Sequence, residues 1–300
     1  MKWIKHGLIF CPENERDWMT SHAANPVPEA LGGGMFRIYF SCRDKSSRSS
    51  IGFLELDLKN PSKVLRVSSH PVIQPGTLGL FDDSGAAMGC LVNADNKRYL
   101  YYLGWNLGVT VPWRNSIGLA ISGPSDSLFT KYTQAPIVDR GPADPFSISY
   151  PSVMRDGPLW RMWYGSNLSW GANERNMAHV IKYAESVDGI HWDRQGHIAI
   201  PLKSSQEYAL SKPWVIKDAG IFKMWYSHRG ERYRIGYAES VDGKHWERMD
   251  DKAGIDVSES GWDSEMIEYA CVFDYEGQRY MLYNGNRYAK TGIGLAILEQ

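Results

Sequence analysis

The chain of 300 residues has few cysteines and almost no net charge. Its four cysteines, Cys11, Cys42, Cys90 and Cys271, are scattered without a C-x-x-C pair, which argues against a disulfide framework and a structural zinc site. Lys and Arg total 33 against 34 Asp and Glu, so the net charge is −1. This balance gives no general electrostatic reason to expect nucleic acid or an anionic membrane as a partner.

Long apolar runs are also missing. No segment approaches the roughly 20 apolar residues that span a bilayer. The N-terminal apolar run, from Gly7 to Phe10, is too short for the core of a signal peptide. We therefore expect a cytoplasmic protein with no membrane segment. Without a phosphate-binding glycine loop, an H-E-x-x-H motif or an EF-hand loop, the sequence predicts no cofactor and no metal.

Aromatic residues are abundant instead: 12 Trp, 17 Tyr and 9 Phe make up 13% of the chain. Apolar residues occur in short alternating bursts rather than with helical periodicity, which indicates β-strands. Aromatic side chains fill β cores and stack on the apolar faces of ring-shaped ligands. The composition therefore favours an all-β protein.

The sequence repeats itself five times. Aligning Phe40, Leu103, Tyr164, Tyr226 and Tyr283 gives spacings of 63, 61, 62 and 57 residues. Each repeat has a matching strand before and after it, separated by short turns rich in Asp and Gly. The aromatic strands are RIYFSCRD (37–44), YLYYLGWN (99–106), RMWYGSN (161–167), KMWYSHRG (223–230) and RYMLYNGNR (279–287).

Such a repeat predicts one domain over residues 1–300, a five-bladed β-propeller with four-stranded antiparallel blades. A β-sandwich would not explain five evenly spaced units. Because the chain ends after the third strand of the fifth unit, we expect residues 3–10, WIKHGLIF, to complete that blade. Two further segments, AESVDGIHW (184–192) and AESVDGKHW (238–246), predict structural turns; their adjacent Asp and Gly differ from the Asp-box of sialidases.

The candidate site follows from the topology of a propeller, in which the start of each innermost strand and the end of the next strand lie on one face. Asp82 and Glu268 are the favoured catalytic carboxylates, with Asp44 and Glu265 as further candidates. The segment around Asp82 could equally form a turn, and Glu265 and Glu268 could belong to a solvated loop. Predicted substrate-binding residues on this face are His22, Arg43, Asp83, Trp105, Tyr150, Lys212, Arg229, Tyr269 and Asn286.

The order of the units, the SGAA segment (84–87) and the ending WDSEMIEYACVF (262–273) resemble the five-bladed propeller superfamily. That superfamily contains arabinanases and xylosidases of glycoside hydrolase family 43, invertases, levansucrases and mannoside phosphorylases. The resemblance implies an acidic residue in the first blade, a second in the second blade and a glutamate further round the ring. Asp82 or Asp83 resembles the second, and Glu268 resembles the glutamate although it falls in the fifth unit.

The first acidic position departs from this pattern, because Asn25 and Pro26 stand where an Asp-Pro pair is expected. Asp44, at the end of the neighbouring strand, could substitute, or the reaction could differ. The resemblance implies a glycoside hydrolase that acts on a saccharide or glycoconjugate through paired carboxylates. A phosphorylase or glycosyltransferase is the alternative, favoured by four residues that could hold an anion: Arg43, Arg229, Arg287 and Lys212. A glycan-binding propeller without activity is favoured by Asn25. The sequence does not predict the oligomeric state.

Overall fold

The computed structural model describes residues 1–124, 126, 128–171, 173 and 176–299. Within them the regular secondary structure is almost all β-strand, joined by turns and loops, with a 3-10 helix at Asp250–Lys252 and a four-residue helical segment at Asn286–Ala289. Neither of these could cross a bilayer, and the described residues contain no helix that could.

The strands fall into antiparallel groups of four, called units one to five here in chain order. The bounds are β1 Trp3–Phe10; unit one, β2 Ser21–Gly32, β3 Met35–Arg43, β4 Ser49–Asp57, β5 Val64–Val67; unit two, β6 Gly85–Ala94, β7 Lys97–Leu107, β8 Trp113–Ser122, β9 Thr130–Lys131; unit three, β10 Ile148–Asp156, β11 Leu159–Ser169, β12 Ala178–Ser186, β13 Ile198–Ile200; unit four, β14 Ala209–Asp218, β15 Ile221–Arg229, β16 Tyr233–Ser240, β17 Glu247–Arg248; and unit five, β18 Glu268–Tyr275, β19 Gln278–Asn284, β20 Ile293–Leu298 with β1.

The first strands of the units contact one another in a closed cycle, β2 to β6, β10, β14, β18 and back to β2. Each junction between neighbouring units holds its own apolar cluster. Between units one and five, for example, Phe40 and Leu54 share a buried cluster with Leu282 and Leu295. The core is therefore a ring of five interfaces around one axis.

The N-terminal strand completes unit five, as the sequence predicts. β1 pairs antiparallel with β20, with Trp3 opposite Leu298 and Phe10 opposite Ile293. The buried Trp3 ring packs edge-on against Trp225, with centroids 6.3 Å apart, so this strand also joins the core.

The register corrects one position of the repeat. Phe40 pairs with Gly52 across unit one, and the residue that pairs with the corresponding Gly118 in unit two is Tyr102, not Leu103. With Tyr102 in place, the first three spacings all become 62 residues. Two adjacent tyrosines in YLYYL allowed the sequence alignment to slip by one residue, which reverses the face of every side chain in the strand.

The two predicted structural turns are confirmed. The Ser186 hydroxyl accepts hydrogen bonds from the backbone N–H groups of Asp188 and Gly189 at 3.2 and 2.9 Å. Gly189 has a φ of 74°, and Trp192 packs back on Tyr101 with ring centroids 6.3 Å apart. The turn at Ser240 repeats these bonds. The polar and aromatic side chains of the motif therefore make the contacts of the turn itself.

Ring closure can be tested by deletion. Removing residues 1–10 would expose the whole hydrogen-bonding edge of β20, so we expect insoluble or readily unfolded protein. Solubility and thermal unfolding measure the effect. Lys2→Ala is the matched control, because it removes only the exposed 2.8 Å ion pair with Glu299 and should change stability by about 0.5 kcal/mol or less. Wild-type stability in the deletion variant would contradict this role of β1.

Candidate active site

The first strand of each unit is interrupted by a bulge near the axis. Pairing shifts between Ser149 and Ser152 in unit three and between Glu268 and Cys271 in unit five. Equivalent shifts occur in the other units. Four bulges contain a non-glycine residue with positive φ, which costs about 1–3 kcal/mol and is concentrated at functional sites. These residues are Asn25 (57°), Tyr150 (39°), Lys212 (48°) and Tyr269 (56°).

The bulges gather aromatic side chains on one side of the axis. The rings of Tyr150 and Tyr269 lie 5.7 Å apart between centroids, and Tyr233 lies 6.4 Å from Tyr269. Asn25 is fixed beside them, because its backbone N–H donates to Asn284 Oδ1 at 2.9 Å. We call this group, together with Glu268, the tyrosine pocket.

Glu268 is the buried carboxyl group of the tyrosine pocket. Its side chain is fully inaccessible, and neither carboxyl oxygen meets hydrogen-bond geometry with any residue in the described part of the chain. Burial raises the pKa of Glu268 to about 8, against the opposing effects of Arg229 and Tyr269. The group is therefore mostly protonated at neutral pH and can donate a proton.

Arg229 is the guanidinium that acts electrostatically on Glu268. It lies over three tyrosine rings, at 5.3 Å from Tyr208, 5.4 Å from Tyr233 and 5.3 Å from Tyr288, and it donates to the Tyr288 hydroxyl. Tyr288 belongs to a left-handed turn, residues 287–289, with φ values of 59°, 56° and 66°. The cation is thus held in place by planar rings.

Two further predicted residues lie near the tyrosine pocket on unit one. Arg43 acts electrostatically on Tyr150 and on His22. Burial, then Arg43 and Lys290, lower the pKa of His22 to about 4, so its imidazole is neutral at pH 7. His22 Nδ1 lies 2.9 Å from Ser21 Oγ. The structure thus associates Arg43 with His22 and Tyr150, as it associates Arg229 with Glu268 and Tyr233.

Asp82, predicted as a catalytic carboxylate, lies in a buried site, where its Oδ1 has no partner among the described residues. Its Oδ2 accepts hydrogen bonds from the Tyr102 hydroxyl at 3.1 Å and Lys131 Nζ at 2.6 Å. Asp144 and Asp263 accept from the equivalent tyrosines of units three and five, and each also binds a lysine. Asp82 is therefore one member of a repeated structural anchor.

The other predicted acids are also held in turns or at the surface. Asp83 accepts from the backbone of Gly79 and from Asn106, contacts that lower its pKa. Asp44 accepts from the backbone and side chain of Arg48. Glu265 is exposed and lies 3.7 Å from Arg232. In the described part of the chain, no hydrogen bond joins Glu268 to Asp44 or Glu265.

Three of the predicted binding residues have structural contacts. Asn286 Oδ1 accepts the backbone N–H groups of Glu265 and Met266, and Trp105 donates to Ser49 Oγ at 2.8 Å. The third, Lys212, forms the floor of the site and is described next.

Lys212 and Trp214 close the axis. Lys212 is fully buried, donates to the Gly89 carbonyl at 2.8 Å and lies 5.0 Å from the centroid of Trp214. Trp214 donates to the Val272 carbonyl at 2.7 Å and packs against four of the interface clusters. Burial lowers the pKa of Lys212. No cluster of His, Cys, Asp or Glu suited to a metal ion occurs among the described residues.

Sequence reasoning missed Tyr208, Tyr233 and Tyr288. Tyr233 starts a third strand, and Tyr288 lies in a hairpin, whereas the predicted site contains only first-strand starts and second-strand ends. The X-Pro pairs at 25–26, 150–151 and 212–213 lie 125 and 62 residues apart, about two repeats and one, and mark three of the bulges.

The amino-acid sequence is similar to those of two mycobacterial proteins. No family model matches it. It is 50% identical over 299 residues to the uncharacterized protein Rv1502 of Mycobacterium tuberculosis (strain ATCC 25618 / H37Rv), with both chains covered completely. The chain belongs to the Rv1502 family. MT1551 from strain CDC 1551 / Oshkosh shows the same identity and coverage.

Solved structures identify the fold. A glycoside hydrolase aligns with a TM-score of 0.78 at 16% identity, covering 99% of this chain and 91% of that chain. A thermostable family-43 glycoside hydrolase gives 0.68 at 16%, covering 94% and 91%. The α-L-arabinofuranosidase PaAbf62A of Podospora anserina, in complex with cellotriose, gives 0.73 at 10%, covering 100% and 97%. The resemblance to the propeller superfamily of these hydrolases is confirmed at the level of the fold.

The anchor role of Asp82 predicts a loss of stability. Asp82→Asn weakens charged hydrogen bonds to Tyr102 and Lys131, so we expect a loss of about 2–3 kcal/mol in the free energy of unfolding. Asp263→Asn, at the equivalent anchor of unit five, should cost a similar amount, and the exposed Glu265→Gln less than about 0.5 kcal/mol. Chemical denaturation gives these values. A fully stable Asp82→Asn protein would contradict the assignment.

Proposed function

We propose that the five units are the blades of a five-bladed propeller and that the chain is a carbohydrate-active enzyme. The closed cycle of first strands supports the architecture. We further propose a saccharide or glycoconjugate as the substrate and the cytoplasm as the location. The observation that carries the proposal is the buried, unbonded Glu268 carboxyl among tyrosines on the face predicted for the site.

The pocket supplies the parts that glycosidic cleavage needs. The carboxyl of Glu268 is protonated at neutral pH, so it can donate a proton to the leaving oxygen as the bond from the anomeric carbon breaks. The rings of Tyr150 and Tyr269 offer apolar faces for a sugar, and Asn25 has a buried amide oxygen with no partner among the described residues, which could accept from a hydroxyl.

The attacking group distinguishes two reactions. In hydrolysis, water attacks the anomeric carbon and gives its proton to a base; the neutral imidazole of His22 is the group near the pocket that fits this role. In phosphorolysis, a phosphate oxygen attacks and no base is needed. The second reaction is favoured by Asn25 at the position of the expected acid and by Arg43 and Lys290 beside His22.

The role of Glu268 predicts a specific loss of activity. Glu268→Gln cannot donate the proton, so kcat on an unactivated glycoside should fall by about 10²–10⁴-fold. Glycosides whose leaving group needs no protonation should lose least. Wild-type kcat should decline as the pH rises through about 8, where Glu268 loses its proton. Steady-state kinetics with a panel of glycosides provide the measurement, and Glu265→Gln, an exposed carboxyl three residues away, is the matched control.

Stability separates lost chemistry from lost folding. The folded pKa of Glu268, about 8, exceeds its ordinary value of 4.5, so the folded state retains the proton between these pH values. Wild-type stability should therefore fall as the pH rises from 4.5 to 8, and Glu268→Gln should reduce that decline. A stable but fully active Glu268→Gln enzyme would end the proposal; a wild-type protein that binds glycans without any turnover would indicate a binding propeller.

The phosphorolysis alternative makes its own prediction. Turnover should require inorganic phosphate, and Arg43→Lys should raise the KM for phosphate strongly, because a planar bidentate donor is lost while the charge remains. Arg48→Lys is the matched control, since Arg48 pairs with Asp44 on the same hairpin. Turnover in phosphate-free buffer at an unchanged rate would instead assign the reaction to hydrolysis.

A further inference from the structure

A row of paired residues crosses five strands of units three and four and ends at the tyrosine pocket. Asn167 of β11 lies opposite His179 of β12, and His179 lies opposite Ala209 of β14. Ala209 lies opposite Arg229, and Arg229 lies opposite Tyr233 of the pocket. Because neighbouring strands lie about 5 Å apart, the backbones of His179 and Arg229 are separated by about 10 Å. Ala209, which lies between them, carries only a methyl group.

The repeat makes Asn167 and His179 the equivalents of two residues at the candidate active site. Asn167 and Arg229 are 62 residues apart, and each lies opposite a residue near the start of a third strand, His179 or Tyr233. Arg229 acts on Glu268 of the next unit, so we expect the Asn167 pair to face unit four. The backbone N–H of His179 does so, because it donates to the carbonyl of residue 208, just before β14, at 2.9 Å.

Ser211 is the equivalent in unit four of Glu268 in unit five. Each is the last paired residue before the bulge of a first strand, and each precedes a residue with positive φ, Lys212 or Tyr269. Burial and Glu268 raise the pKa of Tyr233, and the nearby Ser211 hydroxyl opposes this rise. Ser211 therefore lies close to the Tyr233 phenol of the tyrosine pocket.

The polar side chains at this junction are buried without partners. Asn167 is 2% exposed, and its Nδ2 makes no hydrogen bond within the described part of the chain. Ser211 is 7% exposed, and its hydroxyl likewise has no partner among the described residues. Burial lowers the pKa of His179 to about 4, so its imidazole is neutral at pH 7. Buried polar groups are normally hydrogen-bonded, so unpaired ones at a candidate site point to a ligand. We call these three residues the polar junction.

We propose that the polar junction binds the hydroxyl groups of a second sugar ring, beside the ring that enters the tyrosine pocket. This inference rests on the proposed function, since it extends the same site. A serine hydroxyl, an asparagine amide and a neutral imidazole can each donate and accept hydrogen bonds, as a sugar hydroxyl can. A phosphate or carboxylate would need a cation, and none of the three side chains is charged. An alkyl chain would leave all three unpaired.

Calorimetry on the Glu268→Gln variant tests the proposal, because this variant binds without the proposed cleavage. The probes are cellobiose, maltose, xylobiose, mannobiose and arabinobiose, each compared with the methyl glycoside of its own sugar. At least one disaccharide should bind about tenfold more tightly than its methyl glycoside. Adding Asn167→Ala, Ser211→Ala or His179→Phe should weaken binding of that disaccharide by about threefold to tenfold, and binding of the methyl glycoside much less.

Two controls separate a binding role from a structural one. His6→Phe changes an exposed histidine of the outer strand β1 and should leave disaccharide binding unchanged. Asn167→Ala should leave the unfolding temperature nearly unchanged, because Nδ2 has no described partner to lose. Asn284→Ala, which removes three hydrogen bonds of a buried amide, should lower that temperature clearly.

Three results would overturn the inference. One is a panel in which no disaccharide binds more tightly than its methyl glycoside. Another is unchanged disaccharide binding in all three variants, which would leave the polar junction to ordered water. The third is an equal loss of binding for both probes together with a lower unfolding temperature, which would make the role structural. A wild-type protein that binds disaccharides as expected but never cleaves them would retain the inference and end the proposed chemistry, so the two failures are distinguished.

Discussion

A ring of strand units is stable only if it closes, and in this chain closure depends on the pairing of β1 with β20. Five apolar clusters lie between neighbouring units, and each needs both of its walls. If unit five lacked its outer strand, Trp3 would leave the cluster that it shares with Trp225 and Tyr283. The first ten residues therefore support a core whose other members lie mostly hundreds of positions later in the sequence.

Forming the tyrosine pocket lowers the stability of the folded chain. The apolar interfaces between the units offset this loss. Non-glycine residues with positive φ at Tyr150 and Tyr269 store backbone strain, and a buried carboxyl at Glu268 forgoes hydrogen bonds. The same departures supply the features on which the proposed chemistry depends. A bulge turns a side chain toward the axis, and removal of water holds a proton on Glu268 at a pH where an exposed glutamate is ionised.

The fold was predictable because the repeat is visible in the sequence, but the site was predictable only in part. Glu268, Tyr269 and Arg229 follow from their places at strand ends. Asp82 occupies a similar place at the start of a strand. No local feature of its sequence shows whether the carboxylate binds substrate or holds the fold together. Its hydrogen bonds to Tyr102 and Lys131, which favour the structural role, become visible only in the structure. The pairing of hairpins across two units, as in Trp113 with Trp170, likewise depends on spatial proximity that the sequence pattern does not encode.

The hydrogen bond from Lys212 to the Gly89 carbonyl joins units four and two, which are not neighbours in the ring. Contacts between adjacent units fix the circumference, but a ring held only in that way can still be flattened into an oval. A hydrogen bond across the centre fixes the distance between two units that are not adjacent in the ring. That bond therefore limits how units two and four can move relative to each other, and Tyr233 of the tyrosine pocket lies on unit four.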